Sequence, residues 1–228
     1  MTVLDALRGG LIVSVQAAPG SALDDPRVLA AMAAAAVEGG ACGVRIQGAA
    51  NLRAVCARVS VPVIGLIKRS YEGFEPYITP SRREVDEVLA AGACIVAFDA
   101  TAAAHPAGAA PASLIAAIHE GGALAMADCA QPGDGPPAAE AGADIVATTL
   151  CGYTAQTRGE QLPALALLDA WSGLSVMRIC EGGVHSPESV CAAIGAGADA
   201  VVVGTAITNV SWMTARFAAG LKPKSSRL

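Results

Sequence analysis

A lysine and a glutamate at the ends of two apolar runs are the most reactive pair the chain offers. Lys68 follows Val-Ile-Gly-Leu-Ile at 63–67, and Glu181 follows Val-Met-Arg-Ile-Cys at 176–180 and precedes Gly182-Gly183. Loss of water and nearby cations both disfavour an ammonium ion, so a lysine at such a position can accept a proton near neutrality. A carboxyl group so placed can polarise a substrate oxygen or donate a proton to it. Each also has a structural alternative. Lys68 can snorkel to water at a rim, and Glu181 can neutralise Lys68 or Arg45.

Other runs end in polar groups that suit binding. Arg45 supplies a planar positive fork for an oxyanion or carboxylate, or pairs with Asp128 or Glu181. Asp128 orients a substrate hydroxyl or caps its loop, and Gln16 is a neutral donor and acceptor. Gln47, Asp99, Thr148 and Thr149 occupy comparable places on other runs. Tyr153, in Thr-Thr-Leu-Cys-Gly-Tyr-Thr, closes over a ligand or anchors a loop. Gly182, Gly183, Gly204 and Thr205 offer bare backbone amides, which can hold an anion or simply make tight turns. His185 adjoins the first of these loops, whereas His105 and His119 read as loop and helix-surface residues. Trp171 and Trp212 read as packing residues.

The elements that must position these groups show themselves in a recurring phrase: Gly-Gly-Ala-Cys at 39–42, Ala-Gly-Ala-Cys at 91–94, and Ala-Gly-Ala-Asp at 141–144 and 196–199. A helix end, a left-handed glycine and an immediate strand would need such a phrase, so its repetition marks repeated helix-to-strand joints. Strands are expected at Leu11–Gln16, Gly43–Gln47, Val61–Lys68, Cys94–Asp99, Ala123–Asp128, Ile145–Leu150, Ser175–Glu181 and Ala200–Gly204. Helices are expected at about 25–38, 50–58, 82–91, 111–120, 134–141, 161–171, 187–195 and 209–220. Eight strands alternating with eight helices close most economically as one (β/α)8 TIM barrel over 1–228, with a frayed tail at 222–228. A doubly wound open sheet is the lesser alternative, because no G-x-G-x-x-G follows the first strand. In a barrel the active site is assembled where the carboxyl ends of the strands share one rim, but alternate residues face opposite ways, so not all of these groups can point inward and the sequence alone does not set the pleat.

Composition fits this frame. The chain has 228 residues, 54% of them hydrophobic but only 4% aromatic, so its apolar content is mostly aliphatic, as buried parallel strands require. A net charge of −5 argues against a sequence-independent grip on nucleic acid. The charge-poor stretches are broken by Pro, Gly and polar residues, which argues against a membrane span and for a cytoplasmic protein. Seven scattered cysteines without a C-x-x-C pair read as reduced thiols. Together with only three histidines they give no metal-ligand cluster, so no metal is expected.

Taken in order, several phrases resemble the N-acetylmannosamine-6-phosphate 2-epimerase family. They are Gly10-Leu-Ile-Val-Ser-Val-Gln16, Val44-Arg-Ile-Gln-Gly48, Val61-Pro-Val-Ile-Gly-Leu-Ile-Lys-Arg69, Ala125-Met-Ala-Asp-Cys129, Thr148-Thr-Leu-Cys-Gly-Tyr-Thr154, Glu181-Gly182 with Ser186-Pro187, and Val203-Gly-Thr-Ala-Ile-Thr208. The resemblance spans essentially the whole chain. It implies cofactor-independent inversion at C2 of N-acetylmannosamine 6-phosphate in sialic acid catabolism, with a homodimer as the working form. It assigns proton transfer to Lys68, a catalytic carboxylate to Glu181, substrate contacts to Gln16, Arg45 and Asp128, and phosphate contacts to Gly182, Gly183, Gly204 and Thr205. The chain departs from the family where Gly183 stands for a frequent basic residue and Asn209 for an Arg. Two other readings share the scaffold. A phosphate-binding lyase or synthase is one, although Asp99 lacks the following Lys and Asp of the sugar-phosphate decarboxylases. A non-catalytic sugar-phosphate sensor is the other. The apolar final helix, around Trp212, Met213 and Phe217, is the candidate dimer surface.

Overall fold

The structure, a computed structural model, describes residues 1–221. The tail expected at 222–228 lies outside the described residues. Each recurring phrase does end a helix and open a strand. Gly40, Gly92, Gly142 and Gly197 all have φ between +92° and +102°, a region that costs an L-residue with a Cβ roughly 1–2 kcal/mol. The reversal lets the amides of Ala41, Ala143 and Ala198 donate to the carbonyls of Ala36, Ala138 and Ala193 at 2.9–3.0 Å. These bonds close the helix end and aim the chain back along the sheet.

The strands are β1 (Leu11–Val15), β2 (Gly43–Gln47), β3 (Val63–Leu66), β4 (Ile95–Asp99), β5 (Leu124–Asp128), β6 (Ile145–Ala147), β7 (Met177–Glu181) and β8 (Ala200–Val203). They pair in chain order, all parallel, and β8 returns to β1 to close the barrel. The helices are α1 (Val3–Leu7), α2 (Pro26–Glu38), α3 (Ala49–Cys56), α4 (Arg82–Leu89), α5 (Pro111–Glu120), α6 (Gly135–Glu140), α7 (Leu165–Ala170), α8 (Pro187–Gly195), α9 (Thr205–Thr208) and α10 (Val210–Ala218). Helix α1 is too short to show an apolar period. A reciprocal Thr2–Asp5 capping box starts it, and it delivers fully buried Leu7 to the barrel's interior cluster.

Alternate strand residues divide between two apolar layers. Ile12, Ile64, Leu66, Ile95, Ala97, Met126, Ile145, Ala147, Ile179 and Val202 fill the barrel interior. Val13, Val44, Ile46, Val96, Phe98, Ala125, Ala127 and Val146 pack outward against the helices. Gly65 belongs to the outer set: a Cβ there would lie 2.6 Å from Val88 and 2.7 Å from Ala93, so glycine lets α4 approach β3 closely.

Two strands are shorter than their apolar runs suggest. Beyond β3 the chain leaves the parallel ladder, and Lys68 pairs antiparallel with Ile78. Arg69 N donates to Tyr77 O and Thr79 N to Ile67 O, at 2.9 and 2.7 Å, so residues 69–79 fold back as a flap over the barrel mouth. Beyond β6, Thr148 turns out of the sheet and its hydroxyl bonds the backbone of Glu181 at both ends, 2.8 Å to the carbonyl and 3.0 Å from the amide.

Candidate active site

The register that buries the interior cluster also aims the polar residues of the upper rim inward. Counting upward by twos from Ile12, Ile64, Ile95, Met126, Ile145 and Ile179 leads to Ser14 and Gln16, Lys68, Asp99, Asp128, Thr149 and Glu181. Arg45 and Gln47 alternate with outward Val44 and Ile46 in the same way. The helices cover the outer face, so a charged strand residue has only the mouth to turn to. Arg69 and Thr148 fall on the other parity. Arg69 clamps the flap to Glu84 and Glu87 of α4, and Tyr71 and Ser81 also donate to the fully buried Glu84.

A cavity of about 470 Å³ occupies the mouth. Gln16, Arg45, Lys68, Tyr153, Glu181, Gly182, Gly183, Gly204 and Thr205 all line it. Asp128 does not: it is fully buried behind Arg45, whose Nη1 and Nη2 donate to its two oxygens at 3.0 and 2.5 Å. Thr149 donates to the same carboxylate at 2.6 Å. Arg45 Nη1 also donates to Glu181 Oε2 at 2.8 Å. Arg45 is therefore paired with both acids, as its structural alternative anticipated, and it fixes the Glu181 side chain in the cavity wall. Burial works against the Arg45 charge, but Asp128 and Glu181 outweigh it and hold the guanidinium above its ordinary range.

The two reactive groups are shifted towards each other. Burial, opposed by Arg45 and Lys68 and reinforced by Asp128, pushes the Glu181 carboxyl up to about 7. Burial and then the Arg45 guanidinium hold the Lys68 ammonium below the usual lysine range, against the pull of Glu181 and Asp128. The Lys68 side chain reaches solvent through the cavity it lines, with protein crowded round it on its other sides, and no carboxylate among the described residues lies within salt-bridge distance of it. A free amine and a carboxyl that titrates near neutrality thus share one small chamber, the arrangement from which acid and base roles are drawn.

The opposite side of the cavity is built from backbone. Gly182 and Gly183 have φ of +102° and +70°, and a Cβ on Gly183 would lie 2.3 Å from Leu162 Cβ and 3.2 Å from Leu162 C. Only glycine fits that close approach. Among the described residues, Arg45 and Lys68 are the only Lys or Arg side chains in the lining, and His185 is the one imidazole there, beside the glycines. Its ring lies 5.0 Å from Trp212, and Arg216 sits 5.2 Å from that indole on α10. Asn209 is occupied as the cap of α10, accepting from Trp212 N at 2.9 Å. Gln16 donates to Ser14 Oγ at 2.9 Å, and Tyr153 stands 60% exposed at the rim.

The flap residues Tyr77 and Ile78 line the cavity without having been singled out from sequence. Nothing in the spacing marks them, because the antiparallel excursion that brings them over the mouth interrupts the βα alternation. Among the described residues no group of three His, Cys, Asp or Glu is placed to hold a metal ion, and no helix is long and apolar enough to cross a membrane.

Comparison with known proteins points one way. Residues 29–223 match the family described as "Putative N-acetylmannosamine-6-phosphate epimerase". A relative from Salmonella arizonae named "Putative N-acetylmannosamine-6-phosphate 2-epimerase" is 44% identical over 97% of this chain and 95% of its own. One of the same name from Caldanaerobacter subterraneus subsp. tengcongensis is 42% identical over 98% and 96%. The solved N-acetylmannosamine-6-phosphate 2-epimerase from Clostridium perfringens superposes with a TM-score of 0.93 at 38% identity, covering 97% of both chains. Thiamine phosphate pyrophosphorylase from Pyrococcus furiosus, with a TM-score of 0.60 at 13% identity, shares the fold alone.

Proposed function

The chain belongs to the N-acetylmannosamine-6-phosphate epimerase family, and from that premise we propose that Lys68 and Glu181 invert C2 of N-acetylmannosamine 6-phosphate to give N-acetylglucosamine 6-phosphate. The enzyme is accordingly an isomerase, serving amino sugar breakdown in the sialic acid route. The observation that carries the assignment is the depressed amine and the raised carboxyl facing one cavity across from the glycine loops.

The amides around Gly182, Gly183, Gly204 and Thr205 hold the phosphate, with His185 the nearest side chain able to add charge. The sugar then extends across the mouth and places C2 at Lys68. The neutral amine removes the C2 proton of the open-chain aldehyde, and the C–H electron pair becomes the enolate, with negative charge on the C1 oxygen. General-base assistance of this kind contributes about 10²–10⁴-fold. The planar enolate then turns its other face to Lys68, which returns the proton to C2 and completes the inversion, while Glu181 exchanges a proton with a sugar hydroxyl or the ring oxygen as the ring opens. Arg45, held by Asp128, sets the position of Glu181, and the Lys68 ammonium formed on taking the proton supplies positive charge beside the developing oxyanion. Gln16 and Tyr153 contact the sugar. No cofactor takes part.

Incubation with substrate in D₂O, followed by NMR, is expected to place deuterium at C2 in both epimers. Turnover retained by Lys68→Ala would remove the lysine from this role. We place the enzyme in the cytoplasm, a reading supported by seven free cysteines. We also assign it a homodimeric form, supported by Ile194, Ile207, Val210, Phe217 and Leu221, large apolar side chains exposed on or beside α8, α9 and α10.

A further inference from the structure

Strand β6 runs between β5, which ends in Asp128, and β7, which ends in Glu181. It stops at Ala147, and the two threonines that follow reach Glu181 in different ways. Thr148 is fully buried, and its hydroxyl bonds hold the Glu181 backbone. Thr149 keeps the inward parity of Ala147 and lines the cavity. Its Oγ1 lies 2.6 Å from Asp128 Oδ1 and 3.4 Å from Glu181 Oε2. Among the described residues it is the one hydroxyl within hydrogen-bond distance of both acids.

A hydroxyl has a single proton to donate. The shorter distance gives it mainly to Asp128, but Asp128 also receives Nη1 and Nη2 of Arg45 and can spare it. Glu181 has fewer donors. Among the described residues only Arg45 Nη1 and Thr149 donate to its carboxyl, and both reach Oε2. The ionisable groups facing Glu181 are Arg45 from β2, Lys68 beyond β3 and Asp128 from β5, with Tyr77, Tyr153 and His185 elsewhere in the cavity lining. Burial is the main influence on the Glu181 carboxyl; Arg45, Lys68 and the Thr149 hydroxyl oppose it and Asp128 reinforces it.

We propose that Thr149 is a positioning residue for Glu181: its hydroxyl, shared between Asp128 and Glu181 Oε2, holds Oε2 against Arg45, turns Oε1 to the substrate, and donates more fully to Oε2 as Glu181 gives up its proton. Loss of that proton from Oε1 spreads negative charge over both oxygens, and a hydrogen bond to a charged acceptor is roughly twice as strong as one to a neutral acceptor. An interaction that strengthens as the proton leaves lowers the barrier without tightening the bound substrate, so it acts on kcat and not on KM. The inference rests on the role given to Glu181 above.

Thr149→Val, Thr149→Ala and Thr149→Ser test it with N-acetylmannosamine 6-phosphate. Valine removes the hydroxyl at nearly constant shape, and alanine removes it without setting a methyl against Asp128. Both are expected to lower kcat by about tenfold, the worth of one hydrogen bond to a charged group, with KM within about twofold. Serine keeps the hydroxyl and should restore most of the rate. A second readout is the titration of Glu181 itself, followed by ¹³C NMR of protein labelled at the glutamate side-chain carboxyl, its signal assigned by absence from Glu181→Gln. With a donor to the ionised form removed, the midpoint should move to higher pH in the valine and alanine variants and return in the serine variant. A KM that rises while kcat holds would make Thr149 a substrate contact and overturn the inference. An equal loss in the serine and valine variants would make its methyl the important part and overturn it too. If wild type does not epimerise this sugar, the reading of the site fails and the inference with it; if it does, and the Glu181 midpoint is the same in Thr149→Val, only the inference fails.

Discussion

Lys68 and Glu181, the proposed proton-transfer pair, feel one effect of their surroundings: loss of water weakens the charge of each, so the amine tends to lose its proton and the carboxyl to keep one. For Glu181 the consequence reaches stability. A carboxyl raised from 4.5 to about 7 favours the folded state in its protonated form. Its contribution is whole below about pH 4.5 and is lost as the pH passes about 7. Glu181→Gln, neutral throughout, is therefore expected to melt at a higher temperature than wild type at pH 8 and at nearly the same temperature at pH 5. Thermal melts at the two pH values check this, and an equal shift at both would contradict it. Glu84 behaves in the opposite sense. Burial works against its charge, but Ser81, Tyr71 and Arg69 more than compensate and hold the carboxyl below its ordinary value. That stability is present above the ordinary glutamate range and is lost as the pH falls.

At the scale of elements, the recurring glycine phrase made the barrel legible. A left-handed glycine followed by an aliphatic run has few uses besides turning a helix into a strand, and most expected boundaries agree with the structure to within about three residues. The pleat was less legible, because a strand buried on both faces is apolar on both and shows no alternation. The structure resolves it: the helices cover the outer face, and Arg45, Lys68, Asp128 and Glu181 share the inward parity. The flap left no trace in the sequence. It depends on Arg69 reaching Glu84 and Glu87 across a tertiary contact that local spacing does not encode. Glu84→Gln is expected to cost about 3 kcal/mol, in the range for breaking a buried charged network, and to speed hydrogen exchange at residues 69–79. Unchanged exchange there would show that the flap is held by other means. On the opposite rim, Gly183→Ala meets Leu162 and a positive φ together. Overpacking of this kind typically costs about 1–3 kcal/mol, and KM for the phosphorylated sugar should rise more than kcat falls. The reverse pattern would move the phosphate elsewhere.

Across the whole molecule, charge and exposed apolar surface are unevenly placed. The net charge is −5, yet the cavity is proposed to take an anion, so capture depends on local amides and not on the overall field. The exposed side chains of Ile207, Val210, Phe217 and Leu221 are expected to disappear into a two-fold interface. Light scattering should give twice the chain mass for wild type and a single chain mass for Phe217→Glu with Leu221→Glu; a wild-type monomer would dismiss the dimer. Finally, the barrel interior is stratified. Aliphatic residues such as Ile12, Ile64, Ile95 and Ile145 support a single tier of ionisable groups from below and supply no side chain to the chamber above, whereas Val202 alone of the interior strand residues named above lies in its wall. Most of the packing that resists heat thus lies a storey below the groups proposed to choose the reaction, and the ionisable tier answers to both. A lineage can retune the lower storey to a new climate while the upper keeps its trade.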